Sequence, residues 1–165
     1  MNPMIQKLVD SAFMTEAHGT YLEEALGRKE SLIVSGHKGW GILPLMATLS
    51  TVAKAGYSIK QVKGLEDLTG EVDYLIIADA KDVAFDKLVA EAMAIPDTQL
   101  IAIKDPDHPY SFFKLLGDVY KATGDTSKVY QVIECAKVND EKKLAKITRV
   151  ALDAAGKTVK SDFAG

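Results

Sequence analysis

Between Ser35 and Gly41 the chain reads Ser-Gly-His-Lys-Gly-Trp-Gly, which sets three glycines beside an imidazole, an ammonium and its one tryptophan. Glycine lets a backbone turn tightly and come close to a ligand. If the turn opens a helix, free N–H groups and the positive end of the helix dipole favour an anion. Lys38 and a protonated His37 add to that field, and Trp40 offers a face for a flat ring. The spacing matches neither a Walker loop nor the Gly-x-Gly-x-x-Gly dinucleotide fingerprint. The plainer reading is a strand-to-helix turn that needs its glycines for geometry alone.

A second group of polar side chains falls further along. Asp79, Asp82, Asp105 and Asp107 are carboxylates of the kind that hold magnesium through one or two oxygens and water. His108 pairs naturally with His37 as a candidate proton donor or acceptor near neutral pH. Asp105-Pro106-Asp107-His108-Pro109 equally has the composition of a turn leading into a helix cap. Cys135 is the single cysteine, so no internal disulfide forms, and nothing has the paired spacing of a zinc site. It is a candidate nucleophile or sulfur carrier, with Lys137 favouring the thiolate and Glu134 opposing it, or else a small buried hydrophobe.

The elements that position these residues follow from apolar periodicity. From Pro3 to about Gly27 apolar residues recur near the helical period, giving one or two amphipathic helices broken near Gly19. Strands are expected at Ser31 to Ser35, Tyr57 to Val62, Asp73 to Ala78, Gln99 to Lys104 and Val129 to Cys135. Helices are expected at about Ile42 to Ala55, Val83 to Ala94, Tyr110 to Ala122 and Asp140 to Ala155. Residues from Gly156 onward read as a short polar tail.

Leu-Ile-Val, Tyr-Leu-Ile-Ile-Ala and Leu-Ile-Ala-Ile are continuous apolar runs, which suit central parallel strands covered on both faces. Tyr57 to Lys63 alternates, as an edge strand does. The expected architecture is a three-layer, doubly wound α/β domain spanning residues 1–165. Its five parallel strands take the flavodoxin-like, Rossmann-like order 2-1-3-4-5, and the N-terminal helices of residues 1–28 are added outside. In that order the strand reversal lies between the first and third strands. Ser35, Gly36, His37, Lys38, Gly39, Trp40 and Gly41 then face Asp79 and Asp82 across the crevice, with Asp105 and His108 on the same rim.

Composition narrows the classes. A net charge of −3, with 20 basic and 23 acidic residues spread along the chain, supplies no basic stripe for nucleic acid. No stretch approaches the length needed to span a bilayer, and the start lacks a basic region followed by an apolar run, so a cytoplasmic location is expected.

Three resemblances arise from these residues. Asp79 after the third strand with Lys137 after the fifth is similar to phosphoreceiver domains, but those carry acidic residues where this chain has Ser35-Gly36. The alternation of helices with Leu-Ile-Val-Ser-Gly, Val-Asp-Tyr-Leu-Ile-Ile-Ala and Leu-Ile-Ala-Ile resembles sugar isomerase domains. Their serine-rich ligand loops are replaced here by His37-Lys38-Gly39 and Asp79-Ala80-Lys81-Asp82. Ser35-Gly36, Leu43-Pro44-Leu45, Gly56-Tyr57, Glu71-Val72-Asp73-Tyr74 and Val132 to Ala136 with a basic terminal helix resemble a family of uncharacterised methanogen proteins. That likeness implies a flavodoxin-like fold and no particular activity.

Function is therefore expected in one of three forms. The first is binding of a small anionic ligand or cofactor of unassigned identity at the crevice, with catalysis optional. The second is an accessory subunit that docks through the N-terminal helices and Trp40 and forms a homodimer or larger complex, its apolar stripe exceeding what one domain covers. The third is thiol chemistry at Cys135.

Overall fold

The computed structural model describes residues 1–80 and 83–165. The expected Lys81 and Asp82 positions lie outside the described residues. Two short helices, α1 (Pro3–Asp10) and α2 (Glu16–Gly27), open the chain. Asn2 caps α1 by accepting from the Met4 N–H, and Pro3 takes the first turn, where its missing N–H costs nothing. The break falls at Ser11 to Thr15 and not at Gly19. Thr15 and His18 form a capping box that starts α2, and the His18 ring also lies 6.0 Å from that of Phe163. Gly19 sits inside α2, where an added Cβ would lie 2.8 Å from Ile5, so its smallness allows α1 and α2 to approach closely.

There follow β1 (Ser31–Ser35), α3 (Ile42–Gly56), β2 (Ile59–Gln61), β3 (Tyr74–Ile77), α4 (Phe85–Met93), β4 (Gln99–Lys104), α5 (Phe112–Thr123), β5 (Tyr130–Val138), β6 (Glu141–Leu152) and β7 (Thr158–Asp162). They build one sheet of seven strands in the order β2-β3-β4-β1-β5-β6-β7. The five-stranded, all-parallel flavodoxin-like order 2-1-3-4-5 is overturned by this pairing. β1 lies between β4 and β5, parallel to both, and its far neighbours β3 and β2 follow beyond β4. The sheet is mixed, because β6 and β7 add antiparallel to β5.

The stretch expected as a terminal helix is β6. Leu144 and Ile147, three apart, mimic a helical face, and Lys, Glu and Ala are good helix formers. In the sheet a register shift between Glu134 and Cys135 leaves Ala145 as an extra residue on β6, so Leu144 faces Cys135 and Ile147 faces Ile133. The bulge thus puts two side chains of odd spacing on one buried face. The supposed polar tail contains β7, an exposed edge strand of polar sequence.

Leu32, Ile33, Val34, Leu75, Ile77, Leu100, Ile101 and Ala102 are fully buried, which accounts for the continuous apolar runs. The helices α1, α2 and α3 pack together, as do α4 and α5. β1 leads through α3 toward the β2 edge, while β4 leads through α5 in the opposite direction to β5. Right-handed crossovers then place α3 and α5 on opposite faces. Ile5, Leu22, Ala25 and Leu26 of the N-terminal helices are buried within the chain, so the apolar stripe on which the homodimer expectation rested is already covered.

Candidate functional site

Because the crossovers leaving β1 and β4 diverge to opposite faces, the crevice of this sheet opens between those two strands. An open cleft of about 880 Å³ occupies that place. The loop after β1 supplies Ser35, Gly36, His37 and Trp40; the segment from β4 to α5 supplies Lys104, Asp105, Pro106, Pro109, Tyr110 and Ser111; β5 supplies Glu134 and Cys135.

The floor is a row across three strands. Ser35 is in register with Lys104 on one side and Glu134 on the other, so the three side chains share one face at strand spacing. It is the α5 face, because Tyr130, two alternations before Glu134, packs edge-on against Phe112. The Ser35 hydroxyl is held by the Ile133 carbonyl at 3.0 Å. Ser111 caps α5 beside the cleft. Tyr110 donates its hydroxyl to the Ile103 carbonyl at 2.9 Å, and burial pushes its phenol far above the ordinary range.

The glycine turn divides its residues. His37 and Trp40 form a tilted ring pair, centroids 4.3 Å apart, at the cleft. Lys38 turns away to Asp107, with Nζ 3.0 Å from Oδ2. That contact raises the Lys38 pKa and lowers that of Asp107. Gly39 is exposed. Gly41, at φ +91° as the N-cap of α3, is packed under Phe13, and an added Cβ would lie 2.4 Å from that ring. It lines a separate hollow of about 390 Å³ with Leu8, Pro44 and Lys142. The start of α3 is therefore not open to the cleft, and Lys38 already holds a carboxylate.

Asp105 and His108 come together as a unit. Asp105 Oδ1 accepts from the backbone N–H of Asp107 at 3.0 Å and of His108 at 2.8 Å, and the His108 ring contributes Nδ1 at 2.8 Å. A carboxylate on Nδ1 assigns the ring proton there and turns Nε2 outward. Asp79 approaches Nε2 only to 3.8 Å, beyond hydrogen-bond range, and the ring rests against Phe85 at 4.6 Å. The expected turn chemistry of residues 105–109 is present, and it carries a histidine in the same bond network. Asp79 does not line the cleft, because the strand expected beside β1 was β3 and the one found there is β4, and His108, although it follows β4, turns its ring away to Phe85 and Asp79.

Cys135 does line it, but burial pushes its thiol up to about 12. Lys104, Tyr110, Ser111 and Glu134 join the site once β4 and β5 are recognised as the flanks of β1; Lys104 and Glu134 are legible as rim residues, whereas Tyr110 and Ser111 carry no motif. Among the described residues no group of three or more metal-ligating side chains is gathered, and no helix is long and apolar enough to cross a membrane.

No protein-family model matches the chain, and no curated protein matches it. Among solved structures it is similar to the flagellar accessory protein FlaH from Methanocaldococcus jannaschii, with 13% sequence identity and a TM-score of 0.43 over 80% of this chain and 82% of that one. A likeness of that degree assigns neither fold nor function.

Proposed function

We propose that this protein binds a small molecule in the cleft between the loops that follow β1 and β4. The observation that carries the reading is the coincidence of an open cleft of about 880 Å³ with the crevice where the crossovers diverge, the place open α/β sheets use for ligands. A cleft of that volume falls within the range of sites that take drug-sized ligands.

The anionic ligand expected from the sequence loses its two supports. Lys38 is engaged by Asp107, and Gly41 at the N-terminus of α3 opens on the separate hollow under Phe13 and not on the cleft. The cleft itself sets Lys104 and the titratable His37 against the acidic Asp105 and Glu134, with no excess of positive charge. A neutral or cationic ligand suits that balance better than a phosphate. Thiol chemistry at Cys135 is disfavoured by its burial. An accessory role without a ligand stands second, since the apolar residues Ile5, Leu22, Ala25 and Leu26 of the N-terminal helices are buried within the chain and not presented for docking.

Native mass spectrometry of gently purified full-length protein tests the reading. The expected result is a retained small molecule at one per chain, absent from Glu134→Phe, which fills the cleft from an exposed position. A chain that retains nothing and whose melting temperature no metabolite-sized amine, acid or nucleoside raises would overturn it.

A further inference from the structure

Among the described residues one buried side-chain polar atom has no hydrogen-bond partner, and it is Asp105 Oδ2. The carboxylate has no exposed side-chain surface. Its other oxygen is fully used, with the Asp107 N–H, the His108 N–H and the His108 ring all on Oδ1. The acid is thus held rigidly by one oxygen while the second is left over. Leaving a buried acceptor unmade costs about 1–3 kcal/mol, so its retention calls for a use.

The surroundings define what would complete it. Asp105 lines the cleft beside Tyr110, whose hydroxyl is already given to Ile103, and none of the other donors that line the cleft, Lys104, Ser111, His37 and Trp40 among them, meets Oδ2. With only one oxygen free, the complement is a single N–H, not the two-pronged donor of a guanidinium. A carboxylate makes its stronger hydrogen bonds to a positive nitrogen, which favours an ammonium over a neutral N–H. The opposite wall presents Trp40 with His37, a surface suited to an aromatic ring and, through the indole face, to a cation.

We infer that the cleft takes an aromatic or heteroaromatic amine, its ring lying against Trp40 and its protonated nitrogen donating to Asp105 Oδ2. This rests on the reading of the cleft as a small-molecule site. Because the Asp105 side chain is covered, the bond forms as the 105–109 loop yields, and the exposed Lys38–Asp107 ion pair is one contact that ties that loop to the facing wall.

Three probes of one ring and three charges test it: benzylammonium, benzyl alcohol and benzoate, titrated into the full chain. Trp40, the single tryptophan, reports binding by its fluorescence. Benzylammonium should bind about tenfold or more tighter than benzyl alcohol, the worth of one charged hydrogen bond, and benzoate more weakly still. Asp105→Asn keeps an oxygen for the Asp107 and His108 N–H groups and should abolish the preference, whereas Glu134→Gln should leave most of it. Equal affinity for ammonium and alcohol, or a preference that survives Asp105→Asn and vanishes in Glu134→Gln, overturns the inference. If Asp105→Asn does not fold, the ¹³C carboxyl resonance of Asp105 in the unmodified protein decides: it must shift with benzylammonium and not with benzyl alcohol. Tighter binding of benzoate refutes the amine while leaving the cleft a ligand site. Failure of all three probes also refutes the amine, and the cleft itself is then judged by the retained ligand alone.

Discussion

Lys38 Nζ lies 3.0 Å from Asp107 Oδ2, and this ion pair joins the loop after β1 to the loop after β4, the two walls of the cleft. Both side chains are well exposed, so the pair contributes little to global stability and is weakened by salt. Its value is local. Lys38→Ala should leave the melting temperature within error while amide exchange at residues 37–41 and 105–109 accelerates. The bridge lowers the Asp107 pKa, so its contribution is present above the ordinary aspartate value of 3.8 and is lost as pH falls through the lower folded value. Exchange rates that Lys38→Ala leaves unchanged would show that the loops are held by something else.

Cys135 tests whether burial silences the thiol. Raised from 9.0 to about 12 by desolvation, it has almost no thiolate at pH 8. Iodoacetamide should modify the folded chain at least about a hundredfold more slowly than the denatured chain. Comparable rates in the two states would revive thiol chemistry at the cleft.

Lys128 is a buried ammonium that donates to the carbonyls of Met93, Ile95 and Thr98, closing the end of α4 against the start of β4. Lys128→Met strands those carbonyls and should cost about 2–3 kcal/mol in urea denaturation. Burial lowers its pKa from 10.5 to about 8. The unfolded chain therefore binds more protons between those values, and the unmodified protein should gain stability relative to Lys128→Met as pH rises from about 8 to 10.5. A constant difference across that window would mean that the three carbonyls hold the charge against burial.

What could be read from the sequence divides along a physical line. Strands β1, β3 and β4 announce themselves because both faces are buried, and β2 because it alternates at an edge. Helices α3, α4 and α5 fall within a few residues of their expected ends. The strand order does not follow from such local signals, since nothing in Leu32 to Val34 says whether β3 or β4 lies alongside. That one uncertainty decides the site: with β4 beside β1, Asp105 and Ser111 face Ser35 and Gly36, and Asp79 moves out of the cleft. Helical spacing misleads at Leu144 and Ile147 because a bulge produces the same interval.

The β5–β6 hairpin turns at Asn139 and Asp140, both left-handed at φ +51° and +62°. Val138 faces Glu141 across the turn, so the loop has two residues, the geometry that favours Asn-Gly. Asp140→Gly should remove the strain of a side chain at positive φ and stabilise the protein by about 0.5 kcal/mol, read as a higher urea midpoint at unchanged slope. A loss of stability would mean that the Asp140 carboxylate makes a contact worth more than the strain.

The opposite sign is expected at Gly41. There the backbone sits at φ +91°, and an added Cβ would lie 2.4 Å from Phe13 Cε1 and 3.0 Å from its Cζ. Strain in the turn and collision with the ring act together, so Gly41→Ala should cost about 2–3 kcal/mol. Phe13 is itself held in place, since its carbonyl accepts from the Leu144 N–H at 2.8 Å, and it cannot simply swing away with its backbone. Phe13→Leu, which shortens the ring, should cost stability alone yet relieve part of the loss when combined with Gly41→Ala. Strict additivity in that double-mutant cycle would separate the two effects and assign the whole cost to the backbone conformation. A compensating pair would instead show that collision with the Phe13 ring carries part of the cost.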